Sequence, residues 1–221
     1  MSSIVVAGDT SGTITIAAPA VAGSGTLTLP VATDTLVGKA TTDTLTNKSI
    51  AATQLTGTIA AAALPAGSVL QVVQTLNSAN TSGSVLIPTD NTIPQITEGT
   101  QYLTCTIVPK SATSNLLVQV ILYISENSNV GDSGVAAIFR DSTANAIAAG
   151  ACSQNTALEG SFPLVLSILT PSNSTSSTTF TVRAGMSVNQ AFIMNILANG
   201  QGYPKYGGVY YSGITITEVA A

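Results

Sequence analysis

Apolar and polar residues alternate with a period of two over short runs along most of this chain. Thr13–Ala17 reads Thr-Ile-Thr-Ile-Ala, and residues 26–29 read Thr-Leu-Thr-Leu. With Ser3–Ala7 before them and turn chemistry at 8–12 and 23–25, residues 1–30 predict a three-stranded meander. Ile14, Ile16, Leu27 and Leu29 fall on one face of it. So short a module cannot bury enough surface to stand alone, and it must lean on a partner.

The pattern changes after Pro30. The stretch 35–50 is polar and Thr-rich, and its large apolar residues are sparse. Leu45, Ile50, Leu55, Ile59 and Leu64 recur at intervals of four or five residues, which fit neither a helical face nor a strand. That spacing suits extended chains winding about one another, each sending an apolar residue to a shared axis; a disordered linker is the plainer reading. Ala is dense over 54–63, but Gly57 and the β-branched Thr56, Thr58 and Ile59 weaken a helix there.

Residues 68–221 read as one β domain. Candidate strands are 68–74, 84–87, 102–108, 116–124, 135–139, 144–149, 162–169, 178–186, 191–197 and 209–219. Leu103, Cys105 and Ile107 form one alternating stripe. Leu116, Val118, Val120, Leu122 and Ile124 form a second, and Phe180, Val182, Ala184 and Met186 a third. About ten short strands without a convincing amphipathic helix predict two sheets packed as a β-sandwich or jelly roll. The fold class is therefore all-β, with a small N-terminal module, a short stalk and a C-terminal head.

Charge sharpens this picture by its scarcity. Of 221 residues only 16 are charged, 6 basic and 10 acidic, against about a quarter of an ordinary soluble domain. Ser and Thr take the place of the missing charge. There is no His and no Trp. Without His, no Ser-His-Asp or Cys-His nucleophile can be assembled, so Gly131-Asp132-Ser133-Gly134 is a turn despite its likeness to a serine-protease segment. Cys105 and Cys152 are too few for a Cys₄ zinc site or a disulfide framework. Asp90, Glu98, Glu126, Asp132, Asp141 and Glu159 are scattered through predicted loops; any two could supply a glycosidase's carboxylates, but no pair stands out. A calcium site around Asp90-Asn91 has nothing in the spacing to favour it. Six cations in a chain of net charge −4 cannot make a nucleic-acid stripe. No apolar run reaches the roughly 18 residues of a membrane span, and the first residues lack a signal peptide's basic start. The expectation is a non-enzymatic structural or binding protein with no cofactor and no metal, made in a reducing cytoplasm. Low charge also suggests that much of its surface lies in an oligomer.

The densest aromatic feature is residues 202–211, where four of six Tyr fall beside a Lys. Tyr203, Lys205, Tyr206, Tyr210 and Tyr211 suit a glycan site, since rings on a Gly/Pro loop stack on sugars while hydroxyls hydrogen-bond. Covering the last hairpin or filling a subunit interface is the plainer reading of the same rings.

Three segments in order resemble bacteriophage tail-fibre and virion-fibre proteins. They are Val6-Ala7-Gly8-Asp9-Thr10-Ser11-Gly12-Thr13-Ile14-Thr15-Ile16 with Gly25-Thr26-Leu27-Thr28-Leu29-Pro30, then Thr44-Leu45-Thr46-Asn47-Lys48-Ser49-Ile50, and finally Ile93-Pro94-Gln95-Ile96-Thr97-Glu98-Gly99 continuing through Pro109-Lys110-Ser111-Ala112-Thr113-Ser114-Asn115. The terminal Ser212-Gly213-Ile214-Thr215-Ile216-Thr217-Glu218 belongs with the third. The resemblance implies a homotrimer on the virion surface. Residues 1–37 would dock on other virion proteins of tail or capsid, 38–67 would form an intertwined stalk with Leu45, Ile50, Leu55, Ile59 and Leu64 at its axis, and 68–221 would be the head, binding host-surface polysaccharide. A capsid decoration protein fits the same resemblance, because the stalk is short. A polysaccharide depolymerase is the rival from the enzyme class, and a bacterial surface adhesin is disfavoured by the missing signal segment.

Overall fold

Alternating apolar and polar residues build the strands of the computed structural model, which describes residues 3–7, 9–17, 21, 24, 49–54, 56–57, 59–126, 133–153, 161–188, 190–196 and 205–221. Among these the fold is all-β. The helical elements are short 3-10 turns at Ala52–Gln54, Ala61–Ala63 and Lys205–Gly208, so the Ala-dense segment forms no α-helix. The chain falls into two compact units, Met1–Thr56 and Gly57–Ala221.

The first unit contains the antiparallel hairpin β1 (Ser3–Ala7) and β2 (Thr13–Ala17). Ile4 stands opposite Ile16 and Val6 opposite Ile14, which collects four aliphatic side chains on one face. That face is bare: Ile4 is 67% exposed and Ile14 73%. The expected third strand at 26–29 lies outside the described residues.

The second unit carries β3 (Val69–Asn77), β4 (Thr81–Gly83), β5 (Thr100–Ile107), β6 (Asn115–Glu126), β7 (Ser133–Arg140), β8 (Ala148–Ser153), β9 (Phe162–Pro171), β10 (Thr178–Met186), β11 (Phe192–Met194) and β12 (Ser212–Val219). They form a small sheet in the order β5-β10-β7-β8 and a large one in the order β3-β12-β6-β11-β4, with β9 also paired to β6. All ladders are antiparallel. The three alternating stripes read from the sequence are buried in one continuous core, joined by Ile214 and Ile216 of β12 and by Phe192 and Met194 of β11. Cys105 is a buried thiol in that core, and Cys152 packs against it half-buried.

Several strand boundaries differ from expectation. Residues 84–87 are not a strand; they run across the outer face of the small sheet. There Ile87 packs with Val135, Ala137 and Phe139 in a second apolar cluster. Ile87 N donates to Met186 O and Gly99 N to Leu86 O. Arg183 Nε and Nη2 donate to the carbonyls of Glu98 and Gly99. Gly185 permits this close approach, since a Cβ there would stand 2.2 Å from Val85 O. Strand 144–149 is displaced to 148–153 because 144–146 hydrogen-bonds to Pro94 and Ile96 instead. The last two strands are shorter than their apolar runs, at 192–194 and 212–219.

One buried charge closes the second unit. Glu218 is fully buried on the inward side of β12. Its carboxylate accepts from Lys110 N, Ser111 N, Ser114 Oγ and Gln71 Nε2. It thereby ties the 109–114 turn to β3 and β12. Burial pushes its carboxyl up, but those hydrogen bonds outweigh it and hold the pKa below the usual 4.5. A depressed carboxyl contributes stability that is present above its unfolded value and lost as pH falls through the folded one. Glu218→Gln is therefore expected to flatten the loss of stability below about pH 4.5 in urea melts across pH. Glu218→Ala, which removes the acceptor of all four donors, is expected to cost on the order of 3 kcal/mol at neutral pH.

Candidate functional site

The register of the large sheet lays its outward residues out in rows. Thr217 of β12 stands opposite Val72 of β3 and Leu117 of β6, and Leu117 opposite Leu169 of β9. The next row is Gln74, Thr215, Gln119 and Ser167. The one after it is Leu76, Gly213, Ile121 and Val165. Tyr123, opposite Pro163, begins the aromatic end. None of these positions is charged.

Gly213 has no side chain in the third row, and Leu76 leans over it, with its Cδ2 2.6 Å from where a Cβ would stand; a cleft opens beside them. The cleft there has a volume of about 410 Å³, with Gln74, Gln119 and Thr215 on one side and Tyr123, Tyr211 and Val165 on the other. Gln74 Nε2 donates to Thr215 Oγ1 at 2.9 Å. The lining holds amides, a hydroxyl, two phenols and aliphatic groups, but no carboxylate, amine, thiol or imidazole. Such a surface can bind and has no general base of ordinary strength.

The structure brings part of the expected tyrosine set together and adds one member. Tyr210 stacks on Tyr123 with ring centroids 4.5 Å apart, and Tyr206 meets Tyr210 edge-on at 6.0 Å. Tyr211 lines the cleft. Burial pushes the Tyr210 phenol up, against a hydrogen bond with Ser161. Tyr206 is 72% exposed. Its backbone is left-handed (φ 49°), as are Gly207 and Gly208 after it, so the turn at 206–208 needs the two glycines. Lys205 opens this turn, and its side chain is not among the described parts; Tyr203 lies outside the described residues.

Tyr123, Gln74, Gln119 and Thr215 were not singled out in the sequence. The signal was available, because the same alternation that turns Leu122 inward turns Tyr123 and Gln119 outward.

Of the proposed stalk residues, Leu45 and Leu55 lie outside the described residues. Ile50 and Ile59 are exposed and Leu64 is half-buried. The described acids outside the first unit serve local structure. Asp90 accepts from Thr92 N and Oγ1, which holds its carboxyl below the usual range. Glu98 accepts from Gln95 N, and Asp141 from Thr179 N. No group of three or more metal-ligating side chains occurs among the described residues. No described helix is long and apolar enough to cross a membrane.

No family model and no curated protein matches the chain. Among solved structures it is similar to dimeric latent PorU from Porphyromonas gingivalis, at 12% identity and TM-score 0.35, over 71% of this chain and 14% of that one. It is also similar to the VP2 subviral particle of infectious bursal disease virus, at 12% identity and TM-score 0.30, over 68% of this chain and 37% of that one. The chain thus spans well under half the length of either.

The tyrosine end should depend on Tyr123. Tyr123→Ala removes the platform under Tyr210 and is expected to cost about 1–2 kcal/mol. It should also raise amide exchange at 205–211 selectively, read by hydrogen–deuterium exchange.

Proposed function

We propose that this chain is a non-enzymatic structural protein of a bacteriophage virion: a homotrimeric fibre that docks by residues 1–37 and binds a host-surface glycan with its C-terminal domain. Residues 38–67 form the stalk between them, and 68–221 form the sandwich head. The observation that carries this reading is the contrast between the two units. One holds a hairpin with an exposed aliphatic face, and the other holds a complete two-sheet core. A hairpin of that kind is marginal by itself and calls for a docking surface, whereas the two-sheet unit needs none to fold. That division suits a protein fixed at one end and displayed at the other. The tyrosine end, with Tyr206 in solvent, is where the glycan would bind.

Antibodies raised to the purified chain should label intact virions, and the position of the label separates a tail fibre from a capsid decoration protein. Virions without label would overturn the reading. The double variant Ile4→Asp, Ile16→Asp is expected to lower incorporation into particles at least tenfold while the main thermal unfolding transition stays in place.

Glycan binding makes a separate demand. Purified chain should bind host polysaccharide, and Tyr206→Ala should weaken that binding about tenfold, the effect of losing one exposed stacking ring. Release of new reducing ends from the polysaccharide would show a depolymerase instead.

A further inference from the structure

The two sheets of the second unit treat their outer faces differently. The chain covers the small sheet itself, laying the 84–99 segment over it so that Ile87, Val135, Ala137 and Phe139 are all buried. Over the large sheet the aliphatic side chains remain in water. Val165 is 61% exposed, Leu169 59% and Val72 56%, with Leu76 and Ile121 close behind. Strands β6 and β9 carry aliphatic residues on both faces, interrupted outward only by the Gln119–Ser167 pair between Leu117–Leu169 and Ile121–Val165, which approaches the pattern of strands buried on both sides. A half-solvated antiparallel sheet instead alternates apolar with polar. A contiguous apolar area of this breadth marks a surface made for contact.

We infer that copies of this chain meet through the outer face of the large sheet, three of them turning it inward about a common axis. This rests on the homotrimer proposed above and names the surface that makes it.

Charge favours a second copy over a foreign partner. The four rows contain no Asp, Glu, Lys or Arg. A partner recognised by ion pairs finds nothing to pair with, whereas another copy brings an equally uncharged face and no ion is desolvated. Area accumulates over several contacts. Four strands at their ordinary spacing, over about eight residues each, give a footprint on the order of 500 Å² before side-chain relief is counted. About a threefold axis that face is shared between two neighbours, so each pair buries less than the roughly 800 Å² per partner of a standard interface, and the trimer closes three such contacts together.

The rows supply register as well. About such an axis Leu117 and Ile121 make apolar layers, and Gln119 makes a polar layer between them. The Gln119 amide has no hydrogen-bond partner among the described residues, so it is available to its copies, as a single polar layer is in helical oligomers. The cleft lined by Gln119, Tyr123 and Val165 takes a protruding aliphatic side chain from a neighbour. Tyr206 stays at the rim, outside the rows.

The test is the mass of the full chain by native mass spectrometry and sedimentation velocity at micromolar concentration. Wild type is expected to be a trimer. Ile121→Arg and Val165→Glu each change an outward side chain and should shift the mass to monomer, with strand content by circular dichroism unchanged. Gln101→Arg, exposed on β5 of the small sheet, should leave the trimer intact. A trimer that survives both face variants overturns the surface assignment and leaves the trimer reading standing. A wild type that is monomeric throughout overturns both. A dimer dispersed by the same variants keeps the surface and overturns the threefold arrangement.

Discussion

The position of β6 is the constraint on which the rest of the second unit depends. Its residues from Asn115 to Ile124 pair with β9 along one edge. On the other edge β12 takes the first part of the strand and β11 the last three residues. Inward it sends Leu116, Val118, Val120 and Leu122, none with any exposed surface. Because a strand repeats every two residues, the same register sends Leu117, Gln119, Ile121 and Tyr123 outward. A slip of one residue would exchange these sets, burying the Gln119 amide and the Tyr123 hydroxyl and wetting four aliphatic side chains. Core and candidate site are therefore settled by one pairing. The rows on the outer face are the reverse side of the packing that holds the sheets together.

How much of this could be read from the residues depends on whether the information was local. The stripes on β5, β6 and β10 could be read because alternation within one strand reports its own burial. The fate of 84–87 could not. Val85, Leu86 and Ile87 have the composition of a strand, but Gly185 lies a hundred residues away and admits them across the small sheet in place of a ladder partner. Strand β8 was displaced for a similar reason, since the carbonyl of Pro94 and the amide of Ile96 claimed the backbone of 144–146. The tyrosine cluster was half legible. Tyr206, Tyr210 and Tyr211 are near neighbours in sequence, whereas Tyr123 and the two glutamines reach the cleft only through strand pairing.

The scarcity of charge takes on a definite meaning from the places of Arg140, Arg183, Asp141 and Glu218. Arg140 donates to the carbonyls of Pro171 and Ser172 and lies 5.8 Å over the Phe180 ring. Arg183 holds the carbonyls of Glu98 and Gly99, Asp141 caps the Thr179 amide, and Glu218 gathers four donors. These ions fasten turns to sheets by bonds to backbone groups. Among the described residues, Arg140 and Asp141, 3.8 Å apart, are the closest approach to a conventional surface pair. A surface ion also keeps exposed strands from joining others. Ions used for fastening are not available for that second purpose, and the outer face of the large sheet is where they are missing.

The covered and the bare face also differ in what covering them requires. On the small sheet, the outward residues of β7 are Val135, Ala137 and Phe139, a narrow strip that one crossing segment can hide, with Ile87 and Ile96 as its large contacts. On the large sheet the apolar positions spread over β3, β6 and β9, with Gly213 recessed between them. One extended segment crosses such a face along a single row and leaves the others wet, because adjacent rows lie two residues apart along every strand. Only another surface of similar width covers all the rows at once. A second sheet of the same kind meets that requirement, and the Gln74–Thr215–Gln119 row between the apolar ones rewards only those alignments that set amide against amide. Breadth makes the face adhesive, and the polar row makes it selective.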